Sequence, residues 1–283
     1  MSETNRPKKP ASLAQRTATG LGLVAGLLVL LAVRGWPVII AAIVCIGLAV
    51  YEELRALARK HRPVWWPAFA ALTAVPLIAT QPHEGALSVL LLCCFALTLC
   101  VMLRRQPELT DILVSALPVL TVVMPGLCLA GLLRTQPEAM QVYLLVMVFT
   151  ASVGCDTAAY LVGSTVGGPK LCPAISPNKT VSGAIGGLAG SVVLTLLADI
   201  VIGWIFPDFA VFPPMWANAL AALAAGIASQ MGDLFASMVK RHCGVKDFGH
   251  LFPGHGGMLD RMDSILFAAI VIYCYRVILL GIG

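Results

Sequence analysis

Long apolar runs separated by short polar segments recur along the whole chain. Each run approaches the ~20 residues that one helix needs to cross ~30 Å of hydrocarbon. The runs are continuously apolar and do not alternate with a period of two, which favours helices over a β-barrel. We therefore predict an all-α fold, a polytopic integral membrane bundle of about nine transmembrane helices. The predicted spans are 17–33, 36–53, 64–81, 85–103, 112–133, 140–163, 183–206, 216–239 and 263–282.

The first predicted span leaves two alternatives open. The tetrapeptide Arg34-Gly35-Trp36-Pro37 makes the first two spans a tight hairpin, so the first is either a full span or a half-depth helix, which would leave eight. No small-residue cleavage site follows it before the next apolar run, which argues against a cleaved signal peptide.

Composition supports a membrane protein. The 283 residues are 59% hydrophobic and 12% charged, with a mean hydropathy of +0.89, which lies outside the range of soluble domains. The net charge of +5 is better explained by membrane topology, and then by anionic lipid headgroups, than by nucleic acid. Most of the nine cysteines fall within spans, which argues against a disulfide framework, and their spacing indicates no metal site.

The placement of lysine and arginine predicts the orientation. With the N-terminus in the cytoplasm, all but three of the 19 lysines and arginines fall on the cytoplasmic side or in cytoplasmic loops; the exceptions are Arg34, Arg134 and Arg276. Cytoplasmic loops retain positive charge. We expect an integral protein of a bacterial cytoplasmic (inner) membrane, with its N-terminus cytoplasmic.

Ionisable residues inside the apolar runs are concentrated in the second half of the chain. They are Asp156, Asp199, Asp233 and Asp263, whereas the first five spans have almost none. Such residues are costly in a membrane and commonly functional. The sequence thus predicts a disordered basic arm at 1–16, a transmembrane scaffold or lipid-facing wall at 17–135, and a functional transmembrane region at 136–283.

Three polar segments, 155–183, 230–247 and 249–264, are expected to converge at the cytoplasmic face. In a helix, Asp233 shares one face with Ser237 and Lys240, and a spacing of three residues separates Asp260 from Asp263. Carboxylates on the last turn of one helix and the first turn of the next suit Mg²⁺, whose shell usually retains waters and substrate phosphate oxygens.

Cations and glycines around these carboxylates suit a polyphosphate. Glycines at 254, 256 and 257 let the backbone approach phosphate oxygens, and His255 is a candidate donor to them. The segment 176–180 adds hydroxyls, an amide and a cation before the seventh span. The cations are Lys179, Lys240, Arg241, Lys246 and Arg261. Together these groups favour a nucleoside triphosphate, although neither a Walker loop nor a dinucleotide fingerprint is present.

Plainer interpretations stay open for several of these residues. Taken singly, cations at a helix end are most often determinants of topology. Asp247 beside Lys246 is equally typical of a surface ion pair. Asp156, with small neighbours, could mark close helix packing, and Asp199 has only Thr195 as a polar companion.

The segment 237–264 closely resembles the signature of the phosphatidate cytidylyltransferases, also called CDP-diacylglycerol synthases. The matching positions are Ser237, Lys240-Arg241, Lys246-Asp247, His255-Gly256-Gly257 and Asp260-Arg261-Met262-Asp263. Upstream, the blocks 156–160, 176–180 and 232–234 also look like family blocks. The resemblance covers about residues 150–265 with specific motifs, and the earlier spans fit in hydropathy only.

This resemblance implies transfer of a cytidylyl group from CTP to phosphatidic acid in a lipid bilayer, with Mg²⁺ as cofactor. The implied catalytic residues are Asp233, Lys240, Arg241, Asp260 and Asp263, of which the three aspartates would hold the metal. The implied substrate-binding residues are Asp156, Ser176, Asn178, Lys179, Thr180, Ser237, Lys246, Asp247, His255, Gly256, Gly257 and Arg261. Oligomeric state leaves no readable trace, and a homodimer stays open.

Three positions depart from the family pattern. Ser182 and Ala236 stand where a glutamate is common, and Ser164 where a basic residue is common. Two alternatives to this activity remain. One is an ion- or proton-coupled transporter that uses Asp156, Asp199 and Asp233; the other is a CTP-dependent polyprenol kinase or archaeol cytidylyltransferase of the wider superfamily.

Overall fold

Ten α-helices and one β-hairpin form the part of the chain that the computed structural model describes, residues 36–80, 83–205, 213–252, 254 and 256–279. The helices are α1 Trp36–Leu57, α2 Trp66–Ala71, α3 Ala74–Thr80, α4 His83–Met102, α5 Leu109–Pro118, α6 Met124–Leu132, α7 Glu138–Val166, α8 Val181–Ile205, α9 Met215–His242 and α10 Leu259–Leu279. Strands β1 Lys170–Cys172 and β2 Ser176–Thr180 pair antiparallel between α7 and α8.

Six helical stretches within these residues are long and apolar enough to cross a membrane. They are Trp36–Leu57, Gly85–Met102, Leu109–Leu132, Glu138–Val166, Val181–Ile205 and Met215–His242. The prediction of an all-α integral membrane protein is therefore confirmed. The count of nine is not. The predicted span 17–33 and the arm 1–16 lie outside the described residues, the span 64–81 is not one helix, and α10, which covers most of the predicted span 263–282, is not among the six.

That third predicted span is two short helices, α2 and α3, joined at residues 72–73. Pro76 has no N–H to donate to the carbonyl of Leu72, so the helical hydrogen-bond ladder is interrupted there. Hydropathy does not register such a break, because the side chains on both sides of it are equally apolar.

The span Leu109–Leu132 is continuous but contains a π-helical turn, Val119–Val123, between α5 and α6. Pro118 precedes this turn and lacks the N–H that would continue the α-helical pattern. Thr121 in the turn donates a hydrogen bond to the carboxylate of Glu53 on α1, with an Oγ1 to Oε2 distance of 2.9 Å.

Three apolar clusters make up the core of the described residues, and α9 and α10 contribute to the two larger ones. One large cluster packs α1 to α6 and the π-helical turn against Ala236, Val239 and Leu266. The other packs α6, α7 and the end of α8 against residues 217–225 of α9 and 268–275 of α10. The N-terminal helices thus contact the helices that carry Asp233, Asp260 and Asp263.

Candidate functional site

The β-hairpin places Lys179 beside the start of α8. Lys170 lies opposite Thr180 in the antiparallel register, and Thr180 caps α8 by accepting the N–H of Gly183 at 3.1 Å. A side-chain hydroxyl at this position satisfies one of the backbone donors that a helix start leaves unpaired. Ser182 donates to the carbonyl of Gly167, so the hairpin is held at both of its ends.

Two contacts join this hairpin to α9. Lys179 forms an ion pair with Asp233, and the guanidinium of Arg241 donates to the carbonyl of Ile175 at 3.4 Å. These contacts place the hairpin over the last three turns of α9. The predicted convergence of the segments 155–183 and 230–247 is therefore confirmed.

Three carboxylates from different helices lie within electrostatic range of one another, next to this ion pair. Asp156 on α7 and Asp263 on α10 each interact electrostatically with Asp233 on α9, and Asp263 also with Asp156. Asp156 also lies near Ser264 and within electrostatic reach of Lys179 and Arg261. The arrangement concentrates negative charge at a point surrounded by cations.

Asp260 is bonded differently from the other carboxylates. It is 8% exposed, and its Oδ1 accepts the ammonium of Lys240 at 2.8 Å. Its Oδ2 accepts the backbone N–H groups of Phe248 and Gly257, both at 2.9 Å. Asp260 thus joins the end of α9, the following loop and the start of α10, and among the described residues its Oδ1 accepts no second hydrogen bond.

In the described part of the glycine-rich loop before α10, the backbone N–H groups of Phe252 and Gly257 already have acceptors. Gly256 has φ +83°, a conformation that side chains rarely adopt, and its carbonyl accepts the N–H of Phe252 at 2.9 Å. The N–H of Gly257 already donates to Asp260. A phosphate bound by Gly257 would have to displace that carboxylate. His255 lies outside the described residues.

The remaining predicted residues that the structure describes differ in exposure, and for Ser176, Asn178, Lys246 and Asp247 it gives no contact with these carboxylates. Arg261 is exposed in the first turn of α10, and Ser237 is half-buried on α9 one turn beyond Asp233. Asn178, Lys246 and Asp247 are exposed, and Ser176 is half-buried.

The sequence interpretation missed two glutamates of α1. The oxygens of Glu52 accept the backbone N–H groups of Met258 at 3.0 Å and Leu259 at 2.9 Å. Glu53 is 2% exposed and lines a small cavity together with Ala236 and Asp263. The predicted functional region, 136–283, did not include these two carboxylates. The signal available was two adjacent carboxylates at the end of an apolar run, before the cations at 55–62.

The departures from the family pattern have local explanations. Ala236 is buried, and Glu53 supplies a carboxylate to the cavity that Ala236 lines. Ser182 tethers the hairpin, as described above, and Ser164 donates to the carbonyl of Leu161 at 3.0 Å.

Asp199 does not belong to this carboxylate cluster. It accepts the amide of Asn218 at 2.9 Å, and Asn218 in turn accepts the hydroxyl of Tyr275 at 2.7 Å. This Asp199–Asn218–Tyr275 chain joins α8, α9 and α10 at their other ends. A transport path through Asp156, Asp199 and Asp233 gains no support from this separation.

The oxygen donors of this cluster are of the kind that Mg²⁺ binds. Among the described residues, no group of three or more His, Cys, Asp or Glu side chains has metal-binding geometry as it stands. Asp156, Asp233 and Asp263 nevertheless offer only oxygen, and they repel one another. Mg²⁺ is commonly held by one or two carboxylates plus waters and substrate phosphates. The residues present therefore fit that ion.

The sequence profile described as "Cytidylyltransferase family" matches residues 14–279, nearly the entire chain. The chain belongs to the cytidylyltransferase family. The match includes α1 as well as the helices that carry the carboxylates, so the family region contains every element of the site.

Individual relatives match over shorter lengths. A protein of Brucella suis biovar 1 named phosphatidate cytidylyltransferase is 45% identical over 134 residues, which are 47% of this chain and 47% of that protein. Proteins with the same name are 41% identical in Synechocystis over 150 residues (52% and 48%) and 46% identical in Staphylococcus saprophyticus over 112 residues (40% and 40%). The alignments thus cover about half of each relative.

Proposed function

We propose that this chain transfers the cytidylyl group of CTP to phosphatidic acid, giving CDP-diacylglycerol and pyrophosphate. The observation that carries the proposal is the meeting of Asp156, Asp233 and Asp263 from three helices, with Lys179, Lys240 and Arg261 around them. Cations beside a carboxylate cluster are what two phosphorylated substrates need, because their charges must be neutralised while they are held in line. The names of the relatives agree with this chemistry.

In the proposed reaction, a phosphate oxygen of phosphatidic acid attacks the α-phosphorus of CTP. The bond between that phosphorus and the bridging α–β oxygen breaks, and pyrophosphate leaves with the electron pair. The attacking phosphate is already anionic at neutral pH, so the protein does not need a general base. The chain's task is to position both substrates and to neutralise charge in the transition state.

Asp233 and Asp263 are the proposed ligands of Mg²⁺, and Asp156 lies near them. Asp260, the third ligand predicted from the resemblance, would contribute its Oδ1. Bound Mg²⁺ would polarise phosphoryl oxygens and neutralise the charge on the leaving group. Lys179 releases Asp233 and contacts a substrate phosphate, while Lys240 is kept in place by Asp260. Arg241, Lys246 and Arg261 lie at the exposed rim, where they attract polyanions.

The proposed location is the bacterial cytoplasmic membrane, with the site and the N-terminus on the cytoplasmic side. The cations of the described loops support this orientation, since Arg59, Lys60, Arg104, Lys170 and Lys246 lie on the same side as the carboxylates if the helices cross a bilayer. CTP is a cytoplasmic metabolite, so the proposed reaction requires the same orientation.

The test is a Mg²⁺-dependent assay of the purified chain with phosphatidic acid and CTP labelled either in the cytosine or at the γ-phosphate. Cytosine label in the lipid, with one pyrophosphate released per lipid product, is expected. Transfer of the γ-label to the lipid would indicate a kinase instead. Lipid product without pyrophosphate would contradict the mechanism.

A further inference from the structure

Glu52 of α1 contacts the first turn of α10 across more than 200 residues of sequence. Each of its two carboxylate oxygens accepts one backbone N–H, from Met258 and from Leu259. The side chain is 7% exposed. Because a helix start leaves its first N–H groups without partners inside the helix, a carboxylate placed there is a cap and is also favoured by the helix dipole.

Two glycines leave the room that this contact needs. A Cβ atom at Gly249 or at Gly257 would overlap the Glu52 carboxylate. Neither glycine has a positive φ, so backbone conformation does not explain them. Gly249 and Gly257 therefore pack directly against the carboxylate of Glu52, which lies on a different helix.

The contact fixes the part of α10 that carries the proposed chemistry. Asp260 follows Leu259 directly, and Asp263 lies one turn later. Asp260 also accepts the N–H of Gly257. Successive N–H groups at 257, 258 and 259 thus donate to two carboxylates, one from α10 itself and one from α1. A rotation of α10 about its axis would break the two hydrogen bonds to Glu52, which lies on another helix.

We infer that Glu52 is a positioning residue for catalysis, which sets the direction of Asp260 and Asp263 relative to Asp233 by capping α10. The inference rests on the proposed function of that site. Glu52 does not touch the substrates. It acts through the backbone of Met258 and Leu259, and it makes the N-terminal helix part of the catalytic apparatus.

The test compares Glu52→Gln, Glu52→Asp and the wild type as full-length chains. Glutamine replaces one acceptor oxygen by an NH₂ group that would face a backbone N–H, so one cap bond is lost. We expect kcat for cytidylyl transfer to fall by about 10–100-fold, since small misplacements of reacting groups have effects of this size. The half-saturating Mg²⁺ concentration should rise. Aspartate keeps both oxygens on a shorter stem and should restore part of kcat.

Hydrogen–deuterium exchange over residues 256–264 supplies a readout that does not depend on turnover. Faster exchange in Glu52→Gln, together with lower kcat per folded molecule, supports the inference. Glu108→Gln, at an exposed glutamate in the loop before α5, is the matched control and should leave both measurements unchanged.

If folded Glu52→Gln has the kcat and the Mg²⁺ dependence of the wild type, the inference is overturned. Glu52 would then have a structural role only, whatever the melting temperature of the variant. Lower kcat with unchanged exchange would overturn it too. A wild-type chain that forms no lipid product refutes the proposed function separately, and the exchange comparison alone then decides whether Glu52 holds α10.

Discussion

At the scale of single residues, the ion pair between Lys179 and Asp233 places a cation where the proposed mechanism needs Mg²⁺. Replacing Lys179 by glutamine removes the cation that competes with Mg²⁺ for Asp233. It also removes the proposed charged contact to a substrate phosphate. We expect kcat/KM for CTP to fall by about 10–100-fold, as for the loss of ~1.5–3 kcal/mol from a charge-assisted hydrogen bond. The half-saturating Mg²⁺ concentration should fall as well. Steady-state assays at varied CTP and Mg²⁺ measure both effects.

Lys170→Gln is the control for this prediction. Lys170 is exposed on the neighbouring strand of the same hairpin, so its loss removes an equal charge from nearly the same place. Near-wild-type kinetics are expected for it. Equal losses in both variants would mean that Lys179 acts only through overall charge.

The pair formed by Lys240 and Asp260 makes a second prediction at this scale. Both side chains are largely buried, with 12% and 4% of their surfaces exposed. Removing one partner of such a pair leaves an uncompensated charge, at a cost of about 3–5 kcal/mol. Asp260→Asn and Lys240→Met should each lower the unfolding temperature, and the double variant should lose less than the sum of the two. Additive losses in a double-mutant cycle would contradict a direct interaction.

At the scale of helices, α7 and α8 approach each other closely through glycines. A Cβ at Gly183 would lie 2.7 Å from the carbonyl oxygen of Ala159, whereas a Cβ at Gly203 on the same helix meets nothing within 4 Å. Gly183→Ala should therefore push α8 and its hairpin away from α7, and so separate Lys179 from Asp233. We expect lower thermal stability and lower transfer activity.

Gly203→Ala tests the explanation by packing, because it makes the same chemical change without a close neighbour. Alanine favours a helix over glycine by about 1 kcal/mol, so this variant should be at least as stable as the wild type. A loss of stability in Gly203→Ala equal to that in Gly183→Ala would contradict the packing explanation.

The sequence predicted most of the long helices because hydrophobic length is visible in a single chain. It did not predict the interruption at residues 72–73, since that break depends on one missing N–H at Pro76 and not on hydropathy. It also missed the hairpin of β1 and β2. A five-residue strand with a polar pattern resembles a loop, and its contacts with Asp233 and Arg241 come from a distant helix.

At the scale of the whole molecule, the orientation can be tested with epitope tags inserted into the full-length chain after Arg105 and after Gln136. These exposed positions lie at opposite ends of the continuous helical stretch Leu109–Leu132. In intact spheroplasts, an antibody should reach the tag at 136 and not the tag at 105. The reverse pattern would place the carboxylates outside the cytoplasm, where CTP is absent.

The sequence indicated the candidate site only where its residues lie close together in the chain and belong to one motif. Asp260 and Asp263 lie three residues apart, and Lys240 lies two turns after Asp233, so the charge cluster was evident. The hydrogen bonds between Glu52 and the start of α10 could not be predicted, because no local pattern in a single sequence indicates a contact between residues so far apart in the chain. The distinct bonding of Asp260 also depends on backbone N–H groups of the folded loop.

The Asp199–Asn218–Tyr275 chain and the carboxylate cluster lie at opposite ends of the same three helices, and this separation has a practical consequence. At the Asp199 end, side chains on regular helices hold the three helices together. At the end with the carboxylate cluster, a hairpin and a glycine-rich loop make the contacts instead. Loops of this kind open locally before a helical bundle melts. Detergent extraction or mild heating should therefore abolish turnover while far-ultraviolet circular dichroism still reports intact helices.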